Sequence, residues 1–325
     1  MVSLTSSDAD NSICQGESVT FTASPGGYGN YNFYDGLVSI QNGTSPTYTT
    51  NQLSNGNSIA VVATDLNCSS PASSAVATVV QPAPITDAGS NQSACIDAPI
   101  ITLSGFSPAG GLWSGTGITN PSGDFDPALS LAGVHSLVYT YQDVNTGCFG
   151  YDSINFTVND LPVINAPVSI DICENQSAQL NSSGGLQYAW NPAADLDNAA
   201  ISNPIATPSS TTTYTVTATD NNNCSNTAST MVNVNPNPIA DFTSNQVCEG
   251  LPTNFSNSST PFGATFQWIF GDGNASSTNS PSHTYLSSGT YQVTLIAQLG
   301  MCYDTTSNNS LVQPSACLLY TSRCV

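Results

Sequence analysis

The sequence predicts an all-β fold of four tandem β-sandwich domains, and three observations carry that expectation. Apolar and polar residues alternate with period two, Tyr214, Val216 and Ala218 being separated by Thr215 and Thr217, while Tyr291, Val293, Leu295 and Ala297 repeat the spacing. Gly, Pro, Asn, Asp and Ser break the chain about every ten residues, the rhythm of short strands joined by turns, and no long stretch carries an amphipathic helix. Leaving aside the last ten residues, eight cysteines fall in four pairs, Cys14 and Cys68, Cys95 and Cys148, Cys173 and Cys224, Cys248 and Cys302, with separations of 54, 53, 51 and 54. Successive first cysteines lie 81, 78 and 75 residues apart, a repeat that suits a small seven-stranded sandwich and exceeds a solenoid coil.

Each repeat opens alike: a strand, the first cysteine, a polar turn and another strand. The segments are Ile13-Cys14-Gln15-Gly16, Ala94-Cys95-Ile96-Asp97, Ile172-Cys173-Glu174-Asn175 and Val247-Cys248-Glu249-Gly250. An aromatic follows 17 to 20 residues later, namely Phe33, Trp113, Trp190 and Trp268. Its recurrence predicts a core plug between two sheets, since a large ring buries more area than any other side chain. A strand then leads to the turn of the second cysteine, and a last strand runs into a proline-bearing junction such as Val80-Gln81-Pro82-Ala83-Pro84 or Val234-Asn235-Pro236-Asn237-Pro238. Short proline-bearing junctions predict a semi-rigid rod. The expected boundaries are 1–82, 83–162, 163–237 and 238–315, with a separate tail at 316–325.

Composition narrows the function. Only 7% of the 325 residues are charged; 21 acidic residues face a single basic one, Arg323, for a net charge of -20. Nucleic acid is excluded as a natural partner and anionic membranes are disfavoured, because both need clustered Lys or Arg. No apolar run is long enough to span a bilayer. Met1 to Asn11 lacks the basic start and apolar centre of a signal peptide.

The fourth repeat carries Phe266-Gln267-Trp268-Ile269-Phe270-Gly271-Asp272-Gly273, then Pro281-Ser282-His283-Thr284-Tyr285 and Gly289-Thr290-Tyr291. These three segments, in that order, resemble a PKD-type immunoglobulin-like domain over residues 239 to 315. The turn at Gly271 and Gly273 needs unusual backbone angles, and Tyr291 is placed to act as a corner. The third repeat, with Tyr188-Ala189-Trp190-Asn191-Pro192 and Thr211 to Thr217, resembles immunoglobulin-like repeats of large bacterial surface proteins exported by the type IX secretion system. The second, with Gly111-Leu112-Trp113-Ser114-Gly115-Thr116-Gly117, resembles a sister repeat of those proteins, and the first is the least distinctive. The resemblance implies an adhesin or matrix-type protein, secreted or at the cell surface. Residues 317–325 resemble translated sequencing-adaptor DNA joined to its own inverse, which sets them outside the fold.

Two cysteines per small domain, in a chain resembling secreted proteins, predict disulfides in an oxidising compartment. Their connectivity stays open. In a sandwich of standard strand order the two cysteines of a repeat lie at opposite poles, roughly 20 Å apart and beyond the ~7 Å limit between bridged Cα atoms. Either the strand order differs and Cys14 pairs with Cys68 within its repeat, or the bridges cross junctions, pairing Cys14 with Cys148, Cys95 with Cys224 and Cys173 with Cys302; free thiols are the third option.

No catalytic constellation emerges, and the chain is expected not to be an enzyme. The two histidines, His135 and His283, lie in different repeats, and neither sits in a motif that exposes a nucleophile. Metal ligation lacks CxxC spacing. The carboxylate pairs Asp124/Asp126 and Asp195/Asp197 could offer hard oxygen ligands to calcium, with Asn198 beside the second, although EF-hand spacing is missing. No other cofactor is expected. Asp152-Ser153-Ile154 and Asp304-Thr305-Thr306 resemble the O-glycosylation triplet of type IX secreting bacteria, with Ser153 and Thr305 as acceptors. The leading reading is a structural stalk or spacer of an adhesin-like protein, monomeric, whose extracellular protein or glycan ligand is held by other modules. The alternative is a set of carbohydrate-binding or spacer modules attached to an extracellular hydrolase, for which Trp113, Trp190 and Trp268 would have to form exposed platforms.

Overall fold

A computed structural model describes residues 1–66 and 68–314; the adaptor-like segment 317–325 lies outside the described residues. The chain divides into two compact units, Met1–Asp160 and Leu161–Val325, each holding two sandwiches.

In the first unit, the first sandwich packs the antiparallel sheet Ser3–Ser6, Val19–Ser24 and Thr47–Thr50 against a sheet built on Asn30–Asp35 and Ser58–Asp65. Phe21, Tyr31, Phe33, Ile59 and Val61 fill the space between them. The second sandwich has the four-stranded sheet Gln92–Cys95, Phe149–Asn159, Gly133–Gln142 and Leu112–Ser114, facing Ile101–Thr102, Asp124–Phe125 and Ile118–Asn120. Its core is Trp113, Phe125, Leu137, Tyr139 and Phe156. A four-residue helix, Pro127–Ser130, interrupts the β pattern, with the Asp126 carboxylate accepting from the Ala128 N–H as its N-cap.

In the second unit, Ser169–Cys173, Ser225–Asn235, Thr212–Thr219 and Gln187–Asn191 form one sheet around Trp190, Tyr214 and Val216. The last sandwich sets Val247–Cys248, Cys302–Gln313, Gly289–Leu299, Thr265–Ile269 and Ala275–Ser276 against Phe242–Ser244, Pro252–Asn257 and Ser282–Thr284. Trp268 fills its centre between Phe242 and Phe255, at ring-centroid distances of 5.0 and 5.5 Å. The period-two alternation at 212–219 and 289–297 thus belongs to central strands whose alternate residues, Tyr214, Val216 and Ala218 or Val293, Leu295 and Ala297, are buried.

One register recurs in all four sandwiches and fixes where the cysteines lie. The strand that ends in the first cysteine runs parallel to the last strand, placing Cys14 opposite Gln81, Cys95 opposite Asn159, Cys173 opposite Asn235 and Cys248 opposite Gln313. The backbone then turns: the N–H groups of Glu17, Ala98, Gln176 and Leu251 each donate to the carbonyl of the cysteine three residues earlier. Gly16, Asn175 and Gly250 sit in these turns with φ of 82°, 65° and 80°, the left-handed conformation that Gly and Asn tolerate best. Each first cysteine is therefore at the pole where the chain leaves its domain.

Candidate functional site

The cysteines form the most regular constellation in the molecule. Cys148, Cys224 and Cys302 sit at the hairpin preceding the last strand, eleven residues before the partners of Cys95, Cys173 and Cys248 in the parallel register. Eleven residues of strand at a rise of about 3.3 Å per residue span about 35 Å, so the two cysteines of one repeat cannot meet. Within each unit the same geometry brings the exit pole of the first domain to the entry pole of the second. Cys14 is bonded to Cys148, with Cα atoms 5.5 Å apart, and Cys173 to Cys302, with Cα atoms 5.7 Å apart. Cys95 and Cys224 are disulfide-bonded as well. Cys68 is exposed and outside any disulfide, and Cys248 is half-buried. Pairing inside a repeat, one of the two arrangements left open by the sequence, is not what the chain adopts for Cys14, Cys148, Cys173 or Cys302.

A second regular contact sits at the same entry pole. The Asp152 carboxylate accepts from the Ala88 N–H at 2.7 Å and the Asp304 carboxylate from the Ala240 N–H at 2.8 Å. In the third repeat Asn226 instead donates through Nδ2 to the Pro162 carbonyl at 3.1 Å. In each case the side chain lies 64 residues beyond its partner and ties the chain entering the domain to the last strand. The Ala88 N–H, and then that of Ser153, holds the Asp152 carboxyl below the usual carboxylate range. Sequence reasoning read Asp152 and Asp304 only as parts of glycosylation triplets and missed this tether; the constant 64-residue offset was the signal available. Ser153 and Thr305, the expected acceptors, are exposed on their strands.

The aromatics expected as core plugs are enclosed: Phe33, Trp113, Trp190 and Trp268 are 0, 2, 3 and 0% exposed. Trp190 Nε1 donates to the Ile201 carbonyl at 2.9 Å and Trp268 Nε1 to the Thr278 carbonyl at 3.0 Å, whereas Trp113 Nε1 has no acceptor. None of the three can offer a face to a sugar.

The carboxylate pairs serve local backbone. Asp124 accepts from the Thr102 hydroxyl at 2.9 Å, Asp126 caps the short helix, and Asp197 accepts from the N–H groups of Asn198 and Ile205 at 2.7 Å each. The Asp195 carbonyl accepts from the Thr207 N–H at 2.9 Å. Among the described residues, no three His, Cys, Asp or Glu side chains converge.

His135 lies against the Leu131 carbonyl at 2.9 Å, and His283 is hydrogen-bonded to Asp272, Nε2 to Oδ2 2.7 Å. The His283 ring stacks on Phe270 at 4.2 Å and meets Tyr285 edge-on at 4.6 Å. Burial pushes the Asp272 carboxyl upward, but the bonds from His283 and from the Asn274 side chain and backbone outweigh it, and the net shift is down. Burial also raises the Tyr285 hydroxyl, which donates to the Phe270 carbonyl at 2.9 Å. Tyr291 donates to the Ser287 carbonyl four residues upstream at 2.8 Å, the corner its position implied. This cluster locks the Gly271-Asp272-Gly273 turn to its neighbouring strand.

An open groove of about 670 Å³ on the last sandwich is lined by Thr265, Phe266, Gln267, Ala275, Ser276, Ser277, Thr278, Ile296 and Gln298. No side chain there titrates between pH 3 and 9, so the groove contains no general acid or base. No helix among the described residues is long and apolar enough to cross a membrane.

Two family profiles agree with the last two sandwiches. Residues 235–311 match the sequence profile of the PKD domain, and residues 160–238 match that of the Ig-like domain, CHU_C associated. Among solved structures, the PKD1 domain of Vibrio anguillarum Epp is 28% identical over 24% of this chain and 95% of its own, with a TM-score of 0.22. Sidekick-1 immunoglobulin domains 1–4 are 12% identical over 93% of this chain and 96% of their own, at a TM-score of 0.33. Drosophila OTK extracellular domains 3–5 are 10% identical over 93% of each chain, at 0.36. No curated protein matches the sequence. The chain is a tandem of PKD-like and immunoglobulin-like sandwiches, of a kind that is typically non-catalytic.

Proposed function

We propose that this chain is a spacer segment of a secreted or cell-surface bacterial adhesin-like protein, exported by the type IX secretion system, that holds a binding or anchoring module away from the surface. The observation that carries the reading is the pair of disulfides joining successive domains, Cys14–Cys148 and Cys173–Cys302. Bridges of this kind do nothing for a single domain's chemistry; they hold the spacing between one domain and the next. The acidic surface, with 21 carboxylates and one arginine, supports the reading, because like charge keeps neighbouring copies apart and soluble. Disulfides also suit an oxidising, extracellular compartment. Enclosure of Phe33 and all three tryptophans removes the main support for a carbohydrate-binding array attached to a hydrolase.

The test is a functional screen of the purified chain against glycan arrays and a panel of glycoside and peptide substrates. The expected result is no turnover and no glycan retained at micromolar concentration. Turnover, or a glycan held tightly, would overturn the proposal.

A further inference from the structure

We propose that the inter-domain disulfides act as a mechanical bypass that carries tension around the folded sandwiches. The inference deepens the spacer reading and takes its biological meaning from it. Within the first unit, the Cys14–Cys148 bond closes a covalent loop of sequence separation 134, while the two Cα atoms are 5.5 Å apart. Tension entering from Met1 and leaving toward Asp160 crosses from Cys14 to Cys148 through sulfur. Residues 15–147 bear none of it, and they include Phe21, Phe33, Trp113, Phe125 and Tyr139, the centres of both cores. The second unit repeats the arrangement: Cys173–Cys302 has a separation of 129 and a Cα distance of 5.7 Å, and the enclosed loop contains Trp190, Tyr214 and Trp268. Cys95 and Cys224, also disulfide-bonded, lie inside these two loops in sequence.

The bypass has something to protect. Without it, force on a sandwich would shear the parallel pairing of its first and last strands. That pairing is short in the outer repeats: three residue pairs at Ser12–Cys14 with Val79–Gln81, and two at Val247–Cys248 with Val312 and Gln313. What remains in the load path is strand Phe149–Asn159, hydrogen-bonded on both edges, together with the segments before Cys14 and Ser169–Cys173 and the strand Cys302–Gln313. Peeling these strands takes Ile154, Phe156 and Val158 from the second core and Val312 from the last, but the residues inside the two loops stay closed off by their disulfides and add no length.

Single-molecule stretching of the full chain through terminal peptide tags, with and without a reductant, tests the proposal. The oxidised chain should give no step above about 85 Å, the extended length of the longest segment outside the loops, from Cys148 to Cys173. Reduction should add contour length of about 450 Å from the first loop and about 430 Å from the second, at about 3.4 Å per residue. Sandwiches that stay folded after reduction give this gain as unfolding steps under force, and sandwiches that open on reduction give it as a longer chain from the start. Steps of about 270 Å, one whole domain, in the oxidised chain would overturn the bypass, as would a reduced chain no longer than the oxidised one. Neither outcome bears on the spacer reading, which stands or falls on the glycan and turnover screen.

Discussion

Three equivalent tryptophans with unequal hydrogen bonding allow the core to be tested by one substitution made three times. Trp113, Trp190 and Trp268 occupy the same place in successive sandwiches, yet only the last two donate from Nε1. Replacing each by Phe removes the indole N–H and leaves a cavity that destabilises by about 1–2 kcal/mol. At Trp190 and Trp268 the lost bond adds about 1 kcal/mol, for a total of about 2–3 kcal/mol. At Trp113 the substitution removes an orphaned donor whose burial already costs about 1–3 kcal/mol, which offsets the cavity and leaves W113F within about 1 kcal/mol of the parent. The assay is native-state hydrogen exchange read at Leu137, Val216 and Leu295, one core amide per domain, because a multidomain chain has no single unfolding free energy. A difference of about 2 kcal/mol corresponds to roughly 30-fold in opening-limited exchange, so W268F should accelerate Leu295 at least tenfold more than W113F accelerates Leu137. Equal acceleration would refute the hydrogen-bond argument and assign the whole effect to ring volume.

Acid should weaken the last sandwich through Asp272. The Asp272 carboxyl is held below its ordinary value in the fold, so its stabilisation is complete above about pH 4 and lost as pH falls through the folded value. The melting temperature of residues 238–314 should therefore fall as pH drops below about 4, and D272N should flatten this dependence relative to the parent. Alkylation of the native, unreduced chain should label Cys68, which is exposed and outside any disulfide, while non-reducing peptide mapping recovers Cys14 linked to Cys148 and Cys173 to Cys302; a Cys14–Cys68 peptide would contradict the structure. Gly271→Ala should destabilise the last sandwich by about 1–3 kcal/mol by denaturant titration, because the residue has φ +83° and an added Cβ would lie 2.6 Å from the Gln292 carbonyl oxygen.

Much of the architecture was legible in linear order. Period-two alternation at Tyr214–Ala218 and Tyr291–Ala297 marks half-buried strands, since successive side chains on a strand must face opposite ways. The four cysteine pairs and the aromatic 17 to 20 residues after each first cysteine mark four copies of one unit. The carboxylates were harder to read. Asp126 caps a helix of four residues, too short for any periodicity to announce. Asp152 and Asp304 look like members of modification triplets until the residue 64 positions earlier is brought beside them.

What the sequence by itself determined, then, was the strand content, the repeat and the ring at each centre, all set by side-chain alternation and spacing along one chain. Which cysteine meets which was decided only in three dimensions. A parallel first and last strand sends Cys14 to one pole and Cys68 to the other, so the sulfur within reach of Cys14 belongs to the next domain. Spacing in sequence cannot express that, because contact between poles depends on how strands pair, and strand pairing is a property of the folded sheet.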